Sequence, residues 1–570
     1  MSALKICSEL LRMLLGGFFF ISSQYKIKLM QNNHYIKYLS IIFFTGAVVL
    51  SLELLASRIL TPFFGVSLYI WTSILSVTLI FLAIGYQFGG WVTSKIDSKY
   101  YEELFISIPF LSSIFILIST ITYPILLPKL TSLDLLVGSF IGSFVLLSIP
   151  LVLMSALNPI LISIIKDKND QSSDSKSGFV LFISTIGSVF GVIFTALVLI
   201  PNFTNFSAYI LNALFLIVYT LFIYFFIGYS SFKKLKKLFL FLNLILFFCL
   251  LSVYYFKQNY LNHFTSTKDT WGNTYIIEYE NPSYYGNLKV VGIQPSNQDG
   301  TYSYKLYQNG FTQNTIDKNG NSLNSYTYMM DALSQQSSPG DALILGFGGG
   351  IIPKKLSAKG FNIDVVEIDP ITLEIAEKFF KYKKINTNFF FEDARTYVRK
   401  CKKRYNLIII DLFFADGIPE HLTTIEFYND LKNCLYDDGI LISNSITDFS
   451  NDLTLNTVLS TFNAVFKNLY YFYDKTYVDQ SPIKVTNLYT LATNRGQLKN
   501  LDLKFDNVPK VMRAKLSSTL RNINKFKVEE MNKENIIYDE KNTYSEIFSK
   551  SMQSFRQLVS SSIPSRILIN

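Results

Sequence analysis

The chain has 570 residues, of which 49% are hydrophobic and 16% are charged, so it has room for several domains and is too apolar for an ordinary soluble protein. Only three histidines are present, which leaves almost no material for a metal site or a Ser/His/Asp triad, and we expect no metal. The net charge of +10 comes without a basic stripe interleaved with aromatic residues, which argues against a nucleic-acid partner.

The N-terminal part of the chain contains seven apolar runs, each long enough to cross about 30 Å of hydrocarbon as a helix. We therefore predict a multi-pass membrane domain over residues 38–256, with the lipid membrane as a partner. An N-terminal segment, 1–37, precedes it and holds a shorter apolar stretch that is left out of the count. The predicted helices lie at 38–57, 66–90, 104–127, 134–164, 178–200, 207–229 and 239–256.

Lysines are concentrated in the loops on one side of these helices, and the positive-inside rule places that side in the cytoplasm. The last apolar run would then carry the C-terminal half to the outside. Either this run does not cross fully, or the count is off by one, or the C-terminal half is external. The lysine-rich loops are 24–37, 91–103, 166–177 and 230–238.

Two features inside the predicted helices have alternative explanations. Pairs of glycines spaced by four residues form flat faces on which another helix can pack closely. Glu53 and Arg58 are ionisable residues within an apolar helix. Such residues can mark a transport pathway, or they can reach the membrane surface or pair with each other. The glycine pairs are Gly85 and Gly89, Gly138 and Gly142, and Gly187 and Gly191.

The C-terminal half has a different periodicity. Short aromatic and β-branched segments predict a small antiparallel β domain over 271–335. Strand and helix patterns then alternate over 340–500, which predicts a doubly wound parallel sheet with a ligand site beyond the carboxyl ends of its strands. A polar extension, 501–570, follows, and its last twenty or so residues are predicted to be a loose tail. The predicted strands are 342–346, 363–368, 387–391, 405–411 and 439–444.

The fold class is therefore an α-helical membrane domain with several spans, joined to an α/β Rossmann-like domain that has a small N-terminal β-sheet. A glycine turn follows the first strand of the α/β domain. Its G-x-G-x-G spacing at Gly346, Gly348 and Gly350 is typical of S-adenosylmethionine-type folds, whereas a dinucleotide fingerprint needs glycine where Ile351 stands. No G-K-[ST] motif follows, which excludes a P-loop. We predict that these three glycines bind a nucleoside cosubstrate.

An acidic residue follows each of the next three predicted strands. Glu367 is placed to accept both ribose hydroxyls, and Asp393 is placed to accept from an adenine amino group. Asp411 faces the reacting end of the ligand. Three acids at successive strand ends, together with the glycines, predict a nucleoside-binding site.

Several motifs resemble the fused, membrane-bound spermidine synthase-like proteins. They are "ELLASRILTPFFGVSLYIWTSIL", "GYQFGGW" and "STIGSVFG" in the membrane half, and "VVEIDP", "FEDAR" and "IIIDLFFADGIPEHLTTIEFY" in the soluble half. The resemblance implies transfer of an aminopropyl group from decarboxylated S-adenosylmethionine to an amine such as putrescine. It also implies that Gln313, in "NGFTQ", and Tyr326, in "SYTYMMDAL", lie on the substrate side.

The chain departs from the motifs of that family at three places. The acid of the family's glycine turn is replaced by Gly349, and the second acid of its catalytic loop is replaced by Phe414. The family's Tyr-His/Gln-Glu segment has become Tyr326, Thr327 and Tyr328. Without the turn acid, intact S-adenosylmethionine is as plausible a ligand as the decarboxylated form, so methyl transfer stays open.

An attacking amine needs a group that accepts its proton. Asp411 is the predicted catalytic residue, and Asp416, Glu420 or His421 of the same loop can assist, with Glu420 also a candidate for binding the substrate. A hypothesis of another class is a transporter or sensor whose soluble domain only binds a polyamine or nucleoside. Since both sulfonium donors are made in the cytosol, we expect a cytoplasmic catalytic domain despite the loop charges. A homo-oligomer is left open.

Overall fold

The computed structural model describes residues 33–65, 68–165, 173–226, 236–297, 300–413, 417–495, 508–527 and 530–570. The short apolar stretch near the N-terminus and parts of three lysine-rich loops therefore lie outside the described residues. The chain divides into two compact units. The first comprises the residues up to Phe64, Tyr69–Ser266 and Leu568–Asn570, and the second comprises Gly65–Leu68 and Thr267–Ile567.

The first unit is helical. Seven helices in the described part of the chain are long and apolar enough to cross a membrane, as predicted. They are α1 (Asn33–Phe64), α2 (Leu68–Lys95), α3 (Tyr101–Leu130), α4 (Leu135–Ile165), α5 (Ser173–Phe194, continued by a π-helical turn at Thr195–Leu199), α6 (Asn205–Phe226) and α7 (Lys236–Tyr255); a short helix, α8 (Lys257–Phe264), follows.

The glycine pairs pack helices closely, which confirms the packing explanation. A Cβ atom on Gly187 would lie 2.0 Å from the carbonyl oxygen of Phe43 in α1, so α5 can approach α1 only with glycine there. Gly85 of α2 faces the carbonyl oxygen of Val152 in α4 in the same way, at 2.5 Å. Close backbone approach of this kind gives helices in lipid their van der Waals contact. The predicted transport role of Glu53 and Arg58 stays a prediction.

The second unit begins with the predicted antiparallel sheet. Its four strands pair in chain order, and residues on one face pack against two helices of the following α/β domain. Val290, Leu306 and Ile316 form this contact with Ile351 and Ile375, and all five side chains are buried. The strands are β1 (Thr274–Ser283), β2 (Gly286–Gln294), β3 (Ser303–Gln308) and β4 (Phe311–Asp317).

The α/β domain has one eight-stranded sheet in the order β12-β10-β11-β9-β8-β5-β6-β7. Its strands are β5 (Asp341–Leu345), β6 (Asn362–Val366), β7 (Thr387–Phe390), β8 (Tyr405–Ile410), β9 (Leu435–Asp448), β10 (Asn468–Phe472), β11 (Val485–Thr493) and β12 (Asn524–Phe526). Its helices are α9 (Ser325–Ser334), α10 (Ile351–Ala358), α11 (Ile371–Phe379), α12 (Ala394–Arg399), α13 (Ile425–Asn433), α14 (Asp452–Asn463), α15 (Lys475–Gln480), α16 (Lys510–Arg521), α17 (Tyr544–Ser562) and α18 (Ser565–Leu568).

The five predicted strands pair in parallel, but the sheet continues beyond them with antiparallel strands that the sequence did not predict. Strands β5 to β9 pair in parallel, but β11 pairs antiparallel with β9 and with β10, and β12 pairs antiparallel with β10. Antiparallel neighbours need only a short connection, and the segment between β10 and β11 holds no more than the one-turn helix α15. The alternating pattern of the preceding strands gave no sign of this change.

The sheet is buried on both faces, which explains its continuous apolar strands. In β8, Ile408 and Ile410 belong to the core on one face, and Leu407 and Ile409 belong to the core on the other. Side chains of neighbouring strand residues point to opposite faces, so a strand covered on both sides must be apolar throughout.

The predicted loose tail was also wrong. Helix α17 buries Tyr544, Phe548 and Met552, which are spaced by four residues and so share one face. Ile567 is fully buried against the small sheet, and its carbonyl oxygen accepts a hydrogen bond of 3.0 Å from Lys289 Nζ. The serine-rich composition of this segment hid a periodic apolar pattern.

Candidate active site

A cavity of about 410 Å³ lies at the carboxyl ends of β5, β6, β7 and β8. Because parallel strands end at one edge, the residues that follow them are brought together. Gly346 and Gly348 come from the glycine turn, and Glu367, Asp393 and Asp411 follow the other three strands; all five line the cavity.

The remaining predicted residues have different positions. Gln313 and Tyr326 also line the cavity. Gly350 does not; it caps the N-terminus of α10 with φ of 73°, and its tight packing against Tyr382 serves the turn. Glu420 is exposed and is not among the lining residues, and Asp416 lies outside the described residues.

The glycine turn brings the ends of β5 and β8 together. Gly346 has φ of +91°, and a Cβ atom there would lie 2.2 Å from the carbonyl oxygen of Asp411. Both the backbone conformation and the contact require glycine. This close approach places Asp411 beside the turn.

Glu367 is held by backbone donors. Its Oε2 accepts from Phe347 N and its Oε1 accepts from Asp369 N, both at 2.9 Å. Burial raises the pKa of this carboxyl, and the backbone hydrogen bonds oppose the rise. The carboxylate is thereby fixed at the end of β6.

Asp393 caps the N-terminus of α12, where its Oδ1 accepts from Thr396 N at 2.9 Å. Its Oδ2 lies 3.1 Å from Nε2 of His421, which also lines the cavity. Partial burial raises the pKa of Asp393, but the hydrogen bonds from Thr396 and His421 outweigh it, and the net pKa is lowered. This carboxyl is an ionised acceptor near pH 7.

Asp411 has the most perturbed carboxyl in the cavity. Part of the residue faces the open cavity, but protein surrounds the carboxylate, and burial raises its pKa to about 6. Hydrogen bonds from Asn444 and Tyr326 partly oppose this rise. The bond from Asn444 Nδ2 to Asp411 Oδ1 is 2.9 Å long. A carboxylate with this pKa is ionised at pH 7 and is more basic than an exposed one.

The comparisons with known proteins identify this domain. The family model of the spermine/spermidine synthase domain matches residues 324–495, which contain all three strand-end acids. Residues 324–495 therefore match a spermine/spermidine synthase domain, and the second unit, which contains this match, is named the synthase domain here. The N-terminal half adds seven helices that are candidates for membrane spans.

The synthase domain is similar to several characterised proteins. It is 35% identical over 140 residues to a polyamine aminopropyltransferase of Vibrio vulnificus, covering 24% of this chain and 46% of that one. It is 33% identical over 130 residues to an N-terminal histidine N-methyltransferase of Emericella nidulans, covering 21% of this chain and 23% of that one. A solved spermidine synthase from Thermotoga maritima shares 21% identity with a TM-score of 0.33, covering 42% of this chain and 84% of that one. The chain spans about half the length of the aminopropyltransferase of Vibrio vulnificus.

A segment near residue 540 of the synthase domain holds the loop that carries His421. Arg395 of α12 makes a two-point ion pair with Asp539, and its Nη1 also donates to the carbonyl oxygen of His421 at 2.9 Å. Asn542 Nδ2 donates to the carbonyl oxygen of Glu420 at 2.8 Å. These contacts fix the part of the loop that faces Asp393.

Sequence reasoning missed three asparagines of the synthase domain and two residues of α17. Asn314, Asn444 and Asn487 line the cavity, as do Phe555 and Val559. Asn444 interrupts an apolar strand in "LISNSI", so the strand-end rule could have found it. Asn487 depends on the antiparallel pairing of β11 with β9, which the sequence did not indicate.

Proposed function

We propose that the protein is a membrane-anchored transferase that moves an aminopropyl group from decarboxylated S-adenosylmethionine to an amine such as putrescine. The observation that carries the proposal is the buried Asp411 carboxylate beside the glycine turn, within a spermine/spermidine synthase domain. The aminopropyltransferases among its relatives support the same reaction class.

The cavity fits the adenosyl part of such a donor. Glu367 offers oriented carboxylate oxygens for ribose hydroxyls, and Asp393 offers an ionised acceptor for an adenine amino group. Gly346 and Gly348 leave room for close approach of the ligand to the backbone. The sulfonium end of the donor then lies toward Asp411, whose negative charge favours a cation.

The reaction requires one base. The acceptor nitrogen attacks the carbon next to the sulfonium, a C–N bond forms, the C–S bond breaks, and its electron pair stays on sulfur as a neutral thioether. The amine proton passes to Asp411, which is ionised at pH 7 because its pKa is about 6. Most of the remaining acceleration comes from holding the two reactants in line.

Methyl transfer is a second candidate, and one observation favours it. Gly349, where the resembling family has an acid, is buried and does not line the cavity; the side chain of Asn314 lies over it and lines the cavity instead. A neutral amide does not repel a carboxylate, so intact S-adenosylmethionine fits this wall as well as its decarboxylated form does.

The two candidates are separated by incubating the purified full chain with putrescine and either donor. Aminopropyl transfer yields spermidine from the decarboxylated donor, and methyl transfer yields a methylated acceptor from the intact donor. If the protein bound a donor but turned over neither of the two donors, an enzymatic function would be contradicted. A sensor or transporter that only binds the ligand would then be favoured.

We also propose that the synthase domain faces the cytoplasm, where both donors are made. In this proposal, residues 38–256 form the membrane domain, residues 271–335 and 340–500 form the catalytic part, and residues 501–570 supply α17 to the cavity wall.

A reporter enzyme fused after Lys257 is expected to be active on the cytoplasmic side. Reporters inserted at Asp97, in a lysine-rich loop, and at Ser132, in the opposite loop, serve as matched controls. If the reporter after Lys257 gave the same readout as the reporter at Ser132, the synthase domain would lie on the side opposite the lysine-rich loops. That result would contradict a cytosolic transferase.

A further inference from the structure

Three side chains in the synthase domain form a directed chain of hydrogen bonds that ends on Asp411. Asn487 Nδ2 donates to Asn444 Oδ1 at 2.8 Å, and Asn444 Nδ2 donates to Asp411 Oδ1 at 2.9 Å. Asn487 lies on β11 and is paired across the sheet with Ile446, while Asn444 lies on β9 and is 1% exposed. The antiparallel edge of the sheet therefore reaches the carboxylate at the end of β8.

The direction of this chain matters because an amide has one donor end and one acceptor end. If the amide of Asn444 turned over, its oxygen would face the carboxylate of Asp411 and two acceptors would meet. The donor from Asn487 opposes that turn, since it occupies the oxygen of Asn444. Asn444 touches Asp411 directly, and Asn487 acts through Asn444.

We propose that Asn487 is a positioning residue that keeps the amide of Asn444 in the orientation that holds the Asp411 carboxylate ionised. The inference rests on the proposed function, because it gives Asp411 the task of attracting a cationic donor and accepting a proton. Neither task is possible once the carboxylate is protonated.

A second arm approaches Asp411 from the other side. Gly349 N donates to Asn314 Oδ1, which fixes that amide, and Asn314 Nδ2 donates to the hydroxyl oxygen of Tyr326 at 2.6 Å. The Tyr326 proton is then directed to Asp411 or to the carbonyl oxygen of Gln313, 3.3 Å away. Hydrogen-bond donors thus reach the carboxylate from β9 and from α9.

Other titratable groups also lie around the cavity. Tyr326 and Tyr489 face Asp411, and burial raises the pKa of both hydroxyls, so they stay neutral between pH 5 and 8. The titratable groups farther along the cavity wall are Tyr285, Glu367, Glu392, Asp393 and His421. A pH effect that depends on Asn487 therefore reports on Asp411, because only Asp411 is joined to Asn487 by the described hydrogen bonds.

The test is the pH dependence of donor binding, measured by calorimetry on the purified full chain between pH 5 and 8. The probes are two pairs of a sulfonium and a thioether. S-adenosylhomocysteine differs from S-adenosylmethionine by the methyl group and the sulfonium charge alone, whereas 5′-methylthioadenosine lacks both the sulfonium charge and the aminopropyl ammonium of decarboxylated S-adenosylmethionine. Wild type is compared with two variants. Asn487→Leu removes the hydrogen-bond donor to Asn444, and Asn487→Asp replaces that donor with an acceptor of the same size.

In wild type, binding of a sulfonium is expected to weaken as pH falls through about 6, the pKa of Asp411. The midpoint is expected to move up by about one pH unit in Asn487→Leu, where the Asn444 amide is no longer held in place, and further in Asn487→Asp, where the oxygen of Asn444 is turned toward the carboxylate. Binding of the thioethers stays at its wild-type strength, which also shows that the variants fold.

Equal midpoints in all three proteins would overturn this inference and leave the proposed function intact. Failure of wild type to bind either sulfonium at any pH would overturn the proposed function, and this inference with it. A variant whose thioether binding is lost as well would show a structural role for Asn487 and would likewise count against the inference.

Discussion

Replacing Asp411 with Asn is expected to lower the rate of transfer by about 10²- to 10⁴-fold, the contribution of a positioned general base. The same substitution is expected to stabilise the fold by about 3 kcal/mol at pH 7. The reason is that burial raises the pKa of Asp411 to about 6, so keeping it ionised in the folded protein costs free energy that a neutral amide does not. Turnover assays and thermal unfolding of the purified protein measure the two effects.

The sign of the stability effect makes it specific. The folded-state pKa lies above the unfolded value of 3.8, so wild type loses stability as pH rises from about 4 to about 6 and bears the full cost above pH 6. The gain in Asp411→Asn should therefore be present at pH 7.5 and absent below pH 4. Asp393→Asn is the matched control, because the pKa of Asp393 is lowered and its substitution should destabilise slightly. Equal gains for Asp411→Asn at both pH values would contradict this explanation.

Introducing an acid into the glycine turn with Gly349→Asp is expected to destabilise the synthase domain by about 2–4 kcal/mol rather than to improve activity. A Cβ atom at Gly349 would lie 2.9 Å from both Asn314 Oδ1 and Phe380 Cδ1. The new carboxylate would also face the amide oxygen of Asn314, which now accepts from Gly349 N. Denaturant or thermal unfolding, together with donor binding, measures the effect.

Two further variants separate crowding from charge. Gly349→Ala adds the Cβ atom without the carboxylate and should show the smaller part of the loss. The double variant Gly349→Asp with Asn314→Ala removes the facing oxygen, so the two substitutions should be less than additive in a double-mutant cycle. Strict additivity would show that Asn314 is not what excludes an acid from this position.

The site was predictable where a single geometric rule applies. Parallel strands end at a common edge, so Glu367, Asp393 and Asp411 could be brought together from their positions after three apolar runs. The glycine spacing predicted the close approach of the turn, which the contact between Gly346 and Asp411 now explains. The roles of these residues remain proposals.

The rest of the site depends on pairings that the sequence does not contain. Asn487 faces Asn444 only because β11 runs antiparallel to β9, and Asn314 reaches the glycine turn from the small sheet. Both residues are asparagines, which carry no charge that would single them out in the sequence. Long-range placement of neutral polar side chains is decided by tertiary pairing, and local periodicity has no information about it.

Helix α17 has a practical consequence for recombinant work on the second unit. The match to the synthase family ends at residue 495, yet Phe555 and Val559 form part of the cavity wall. A fragment cut at the end of the family match would leave the α17 side of the cavity open to water and expose the face of β9 and β11 on which α17 packs. Low activity or aggregation of such a fragment would report on the position of the cut, and the boundary for expression belongs after Ile567.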